Sequence, residues 1–129
     1  MIINIGALLR KAPIKNMATE KLREHGVSYG MSEAGFDIRI KQDIRFTPRT
    51  WRGSPYAYVN GLPFRGRFVI ASAIEEFTMP TDLVGIVHDK STWARKGLSV
   101  FNTVIEPGWN GFLTLELVYH GEEQLHIPA

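Results

Sequence analysis

Three segments in the second half of the chain combine side chains that could do chemistry. The first, DKSTWARKG at residues 89–97, follows an apolar stretch, and a short helical turn is predicted to begin at Asp89 or Ser91. Backbone N–H groups at such a turn, with the hydroxyls of Ser91 and Thr92 and the ammonium of Lys90, would suit an anion. Arg95 follows Ser91 by four residues, which puts both on one helical face. A helix cap followed by a solvated basic turn fits the same pattern.

The other two segments carry carboxylates. In VIEPGWNG, the Pro-Gly pair after Glu106 indicates a tight turn from which Trp109 projects. A carboxylate and an indole there suit a sugar, although a hairpin with its tryptophan in the core fits equally. In LTLELV, alternation puts Thr114 and Glu116 on one face and the leucines on the other. If that face meets solvent, Glu116 is an ordinary surface charge; if it lines a cavity, Glu116 is a desolvated carboxylate suited to general acid/base work.

Composition limits the chemistry that these residues can do. The 129-residue chain is 44% hydrophobic and 22% charged, as globular domains are, and it contains no cysteine. A disulfide scaffold, a thiolate nucleophile and cysteine-bound zinc are therefore excluded. None of the four histidines has another histidine two to four residues away, so their spacing indicates no metal site.

Length, hydropathy and charge indicate one domain over residues 1–129. No apolar run approaches the roughly 18 residues of a membrane helix, and no basic residue precedes the first apolar stretch as in a signal peptide. We therefore expect a cytoplasmic protein that does not bind membranes. The net charge is +2, and the basic residues concentrate in the first half without forming a contiguous block. That distribution disfavours a polynucleotide partner.

The elements that must position these residues are mostly strands. Residues 17–25 predict a helix, with Asn16 as its N-cap and Gly26 as its C-terminal stop. Residues 47–66 predict a loop with short extended pieces. The runs that predict strands are residues 36–40, 67–71, 83–87, 98–101 and 112–119. Many short strands without alternating helices predict an all-β sandwich or jelly-roll type barrel with a short N-terminal helix.

Four motifs together resemble the dCTP deaminase and dUTP pyrophosphatase superfamily, and dCTP deaminase most. They are SEAGFDIR at residues 32–39, MPTDLVG at 79–85, KSTWARKGL at 90–98, and IEPGWNG at 105–111 running into LTLE at 113–116. Four motifs in the family's order and spacing are far more specific than any one alone. The resemblance implies a distorted jelly-roll barrel of the dUTPase type and a homotrimer with active sites between subunits. It also implies a magnesium ion bound through the substrate's triphosphate.

The resemblance implies a role for each matching residue. Lys90, Ser91 and Thr92 stand where the family grips phosphates with Arg-Ser-Ser. Arg95 matches an arginine beside the catalytic water, which Ser91 would help to hold. Glu116 matches the glutamate that shuttles protons in deaminases. The candidate catalytic residues are therefore Glu116, Arg95 and Ser91.

Three further candidates would contact the nucleoside. Glu106 stands where the family usually has an aspartate near the sugar 3′-hydroxyl, and in pyrophosphatases that aspartate also orders the attacking water. Trp109 follows in the same motif, and Asn102 lies where several deaminases have alanine near the base pocket. Two other departures are Asp89, where deaminases often have glycine, and Lys90, which replaces a phosphate-binding arginine fork by a point charge. Family members also continue beyond the position of residue 129 with a strand and a tail, so we expect this chain to lack that tail.

The resemblance implies zinc-independent hydrolytic deamination of dCTP to dUTP and ammonia in pyrimidine deoxynucleotide metabolism. A dUTP pyrophosphatase, a bifunctional enzyme and a non-catalytic nucleotide-binding protein remain alternatives, and each would bind a nucleoside triphosphate, dCTP or dUTP. Glu116 favours the deaminase, because pyrophosphatases usually have an apolar residue at that strand position. Arg95 also favours the deaminase.

Overall fold

Strands dominate the computed structural model, which describes residues 1–49 and 55–129. The helices are α1 (Ile5–Lys11) and α2 (Ser91–Ala94). The strands are β1 (Lys21–Glu24), β2 (Val27–Ser32), β3 (Gly35–Asp37), β4 (Ile44–Phe46), β5 (Tyr56–Val59), β6 (Leu62–Arg65), β7 (Phe68–Thr78), β8 (Gly85–Ile86), β9 (Leu98–Val100), β10 (Val104–Ile105), β11 (Asn110–Tyr119) and β12 (Leu125–Ile127). The predicted all-β class is confirmed and is consistent with the dUTPase-like fold that the resemblance implies.

The described strands pair in four sheets. Their orders are β1-β2-β3, β10-β8, β7-β11-β9 and β12-β4-β5-β6. The sheet that matters most for the candidate residues is β7-β11-β9, in which β11 is the central strand and pairs antiparallel with β9. Along β11, Leu113, Leu115 and Leu117 are buried. The alternation predicted for this strand is therefore confirmed.

The chain divides into two compact units, each assembled from three stretches. The first unit consists of Met1–Arg39, Ala73–Ile86 and Val104–Leu113. Its interior contains Ile14, Phe77 and Met79. The second unit consists of Ile40–Ser72, Val87–Thr103 and Thr114–Ala129. In its interior, Ile44 and Phe46 are fully buried, and the Phe46 ring lies 5.2 Å from the ring of Tyr119.

The helix predicted over residues 17–25 is wrong. Strand β1 occupies part of that range and pairs with β2, so that Leu22 lies opposite Tyr29. His25 and Gly26 form the two-residue turn between the strands, with φ values of 50° and 77°. Two successive left-handed residues are what a type I′ hairpin turn requires. The glycine that suggested a helix stop is instead a hairpin turn residue, and the short N-terminal helix is α1, earlier in the chain.

The other predicted elements mostly correspond to observed ones. The strand predicted over residues 67–71 extends to Thr78 as β7, and the one predicted over 83–87 shortens to β8. Within the predicted loop of residues 47–66, β5 and β6 form a hairpin; residues 50–54 lie outside the described residues. No helix in the described part of the chain is long and apolar enough to cross a membrane.

Candidate functional site

Helix α2 holds the predicted anion-binding side chains in the second unit. It begins at Ser91, one of the two starts that the sequence predicts, and Lys90 is its N-cap residue. The Arg95 amide donates to the Ser91 carbonyl oxygen at 3.0 Å, which closes one helical turn between them. Ser91 and Arg95 are exposed, whereas Lys90 and Thr92 are half-buried. The α2 turn therefore presents a hydroxyl and a guanidinium one turn apart at the surface of this unit.

Glu116 lies on the face of β11 opposite the buried leucines and is half-buried. Strand β9 runs beside it with Val100 opposite Leu117. Continuing that register puts Phe101 opposite Glu116, and the Phe101 amide donates to the Glu116 carbonyl oxygen at 3.0 Å. Directly opposite residues of an antiparallel pair project from the same face. Glu116 and Phe101 are therefore neighbours on the outer face of this sheet.

Exposed apolar side chains lie on β7 and at Phe101, in the sheet that carries Glu116. Phe101 is 54% exposed, and its ring lies 6.0 Å from that of Phe68, which is 48% exposed. On β7, Phe68 and Ile70 are exposed and alternate with buried Val69. We call Phe68, Ile70 and Phe101 the apolar rim of Glu116. A carboxylate flanked by such a rim would lose much of its water if another surface covered the face.

Sequence reasoning missed the apolar rim, although a signal for it exists. The run Phe68-Val-Ile-Ala71 is apolar on both faces, a pattern typical of a strand that is covered on both sides. The register of β9 against β11 could not be read from the sequence, because it joins residues far apart in the chain. Asn102 follows Phe101 directly and is exposed, in the same unit.

Glu106 and Trp109 belong to the first unit. Glu106 is exposed in the predicted tight turn, and its carbonyl oxygen accepts a hydrogen bond from the Trp109 amide at 3.1 Å. The half-buried Trp109 ring lies 6.5 Å from the ring of Phe77, and a Cβ on Gly111 would lie 3.2 Å from it. Trp109 therefore packs against its own unit, and part of its surface stays accessible.

A metal ion could be held by histidine, aspartate or glutamate side chains. Within residues 1–49 and 55–129, no group of three or more histidine, aspartate or glutamate side chains is arranged to hold a metal ion. A magnesium ion that travels with a triphosphate needs no such cage, because phosphate oxygens and water supply most of its ligands and the protein supplies one or two at most. The described residues are compatible with that mode.

The comparisons with known proteins agree with these motifs. Residues 62–129 match a family model described as dCTP deaminase-like, and this stretch includes all the candidate residues. The chain belongs to the dCTP deaminase-like family. Proteins named dCTP deaminase are similar to it, with 32% identity over 119 residues in Acidobacterium capsulatum, 34% over 124 in Campylobacter curvus and 38% over 103 in Campylobacter jejuni.

These alignments cover 83%, 83% and 70% of the chain in that order. They cover 65%, 64% and 55% of the relatives. The chain therefore spans less than two thirds of the length of the dCTP deaminases that it matches.

Proposed function

We propose that this protein deaminates dCTP hydrolytically, giving dUTP and ammonia. Membership of the dCTP deaminase-like family and the names of its relatives support this substrate. The observation that carries the proposal is the location of Glu116, a half-buried carboxylate beside the exposed ring of Phe101. A carboxylate that loses its water when this face is covered is suited to moving protons.

The reaction requires a nucleophilic water and a protonated leaving group. Glu116 takes a proton from water as the hydroxide adds to C4 of cytosine, and the ring nitrogen N3 is protonated. The proton on N3 is the one that Glu116 took from water. Glu116 then moves the proton of the new C4 hydroxyl to the exocyclic amine, the C4–N bond breaks, and ammonia leaves as C4 becomes a carbonyl. Arg95 and Ser91 hold the water and the tetrahedral centre. Zinc deaminases use a metal hydroxide held by a His/Cys/Cys set instead, and this chain has no cysteine for that set.

The triphosphate would bind at α2. Lys90 supplies a positive charge, and Ser91 and Thr92 supply hydroxyl donors. A magnesium ion held by the triphosphate would neutralise part of its charge. Asn102 would contact the base, and Glu106 and Trp109 the sugar.

We also propose that the working form is a homotrimer in the cytoplasm, with sites completed between subunits. The apolar rim of Glu116 supports association, because contiguous exposed apolar surface marks interaction sites. A second copy that covers the rim would desolvate Glu116, so assembly and catalysis would be linked.

A second function, dUTP hydrolysis to dUMP and diphosphate, is favoured by Glu106. Its side chain is exposed on a tight turn, where it could order an attacking water. The two activities could also coexist in one enzyme.

Product analysis tests the proposal. The full chain is incubated with magnesium and either dCTP or dUTP, the nucleotides are separated by chromatography, and ammonia is assayed enzymatically. We expect equal amounts of dUTP and ammonia from dCTP. If dUTP yields diphosphate and dCTP yields no ammonia, the protein is a pyrophosphatase and not a deaminase. If nucleotides raise the Tm but no product forms, the protein only binds nucleotides.

A further inference from the structure

We infer that Asp89 is a positioning residue for the proposed reaction, because its carboxylate ties the approach to α2 to strand β9. This inference rests on the proposed function. Asp89 immediately precedes Lys90 and lies two residues before Ser91, so any displacement of Asp89 moves both proposed phosphate contacts.

The contact itself is short and directional. The Val100 amide donates to Oδ1 of Asp89 at 2.7 Å. Val100 is the last residue of β9, which lies at the edge of the sheet β7-β11-β9. An edge strand leaves backbone groups without a neighbouring strand. The Asp89 carboxylate takes the place of such a strand, and a charged acceptor makes the hydrogen bond about twice as strong as a neutral one.

From Val100 the connection continues to Glu116. Val100 lies opposite Leu117 on β11, and the next amide, that of Phe101, donates to the Glu116 carbonyl oxygen at 3.0 Å. All these residues belong to the second unit. Asp89 therefore sets the position of the proposed phosphate-binding turn relative to the strand that carries the proposed proton shuttle. A substrate held at both ends depends on that spacing, and a misplacement of about 1 Å can cost 100-fold in rate.

Whereas the hydrogen bond of Asp89 helps to position the substrate, its negative charge should weaken triphosphate binding. Asp89 is exposed beside Lys90, so its carboxylate would repel a triphosphate bound there. An asparagine keeps the oxygen acceptor and removes the charge, whereas an alanine removes both. The two substitutions therefore separate positioning from charge.

The experiment measures dCTP deamination by the full chain and by Asp89→Asn, Asp89→Ala and the control Glu123→Gln, which changes an exposed carboxylate on a bend. We expect Asp89→Ala to lower kcat at least about tenfold. Asp89→Asn should keep kcat within about threefold and lower KM, because it retains the acceptor without the repulsion. The control should match the parent. Equal kcat for the parent and Asp89→Ala, or equal loss in both Asp89 variants, would overturn the inference.

A second readout does not depend on activity. Amide hydrogen exchange at Val100, followed by NMR, should be faster in Asp89→Ala and close to the parental rate in Asp89→Asn. Unchanged exchange at Val100 in Asp89→Ala would also overturn the inference. If the parent releases no ammonia from dCTP, the proposed function fails. The exchange rate of the Val100 amide then still tests whether Asp89 holds β9. Tighter dCTP binding by Asp89→Asn than by Asp89→Ala would show that this contact contributes to nucleotide binding, and equal binding would show that it does not.

Discussion

Removing the Glu75 carboxylate should destabilise the first unit strongly. The Glu75 side chain is 5% exposed, and both of its oxygens accept hydrogen bonds from Arg39. Oε2 accepts from the Arg39 backbone amide at 2.9 Å, and Oε1 accepts from Arg39 Nε at 3.0 Å. The Arg39 guanidinium also lies 4.1 Å from the centre of the Tyr29 ring. One buried carboxylate thus fixes both the backbone and the side chain of Arg39.

The magnitude follows from these two bonds. Glu75→Ala leaves the Arg39 amide without its acceptor, which costs about 1–3 kcal/mol. It also removes a charge-assisted hydrogen bond to the guanidinium. The loss of that bond costs only about 1 kcal/mol, because the Arg39 side chain is 34% exposed and water can replace the carboxylate. The total is about 3 kcal/mol. At roughly 3–4 °C per kcal/mol for a chain of this length, Tm should fall by about 10 °C.

Thermal unfolding followed by circular dichroism measures this loss. The adjacent Glu76→Ala is the matched control: Glu76 is 37% exposed and pairs with Lys15 at 2.7 Å, so its loss should cost less than about 1 kcal/mol. A fall of less than about 3 °C for Glu75→Ala, or equal falls for both variants, would refute the reasoning.

Three further predictions address charge, phosphate binding and assembly. The hydrogen bond from His126 at 2.6 Å, with a smaller effect from Arg45, holds the pKa of Asp43 below its usual range. The ionised Asp43 therefore stabilises the fold fully above about pH 4, and this contribution to stability is lost as the pH falls further. The Tm of Asp43→Asn should lack this dependence on acid pH, and a Tm that falls with pH in parallel with the parent's would contradict the prediction. Lys90→Ala should weaken dCTP binding more than deoxycytidine binding, by about tenfold in calorimetry, since a charge-assisted contact is worth about 1.5–3 kcal/mol; equal losses would remove Lys90 from the phosphate site. Phe101→Asp should shift light scattering from trimer to monomer, and a monomeric parent would contradict the proposed assembly.

The sequence was informative where a pattern is local. The alternation around Glu116 predicts correctly which side chains of β11 are buried, because one strand face packs on the interior. The turn at Pro107 and the start of α2 are also local, since proline, glycine and hydroxyl residues act on their immediate neighbours. These signals suffice to locate the candidate residues on their elements.

Prediction failed where distant segments decide the outcome. Residues 17–25 satisfy helix signals, yet pairing with β2 makes part of them a strand, and the His25-Gly26 turn suits that hairpin. The proximity of Phe101 to Glu116 and the contact between Asp89 and Val100 depend on strand register, which no local pattern encodes. The motifs therefore assign the candidate residues to their elements, but they do not predict the neighbours of those residues.

Substitution of Glu116 by glutamine tests the deaminase proposal most directly. Glutamine keeps the shape and hydrogen-bonding capacity of the side chain but cannot accept the proton of water. We expect Glu116→Gln to bind dCTP within about threefold of the parent and to release ammonia at least ~100-fold more slowly, the lower end for a general acid/base residue. Glu123→Gln, at an exposed position, should retain full activity. Ammonia release by Glu116→Gln at close to the parental rate would contradict the role of Glu116 and the mechanism built on it.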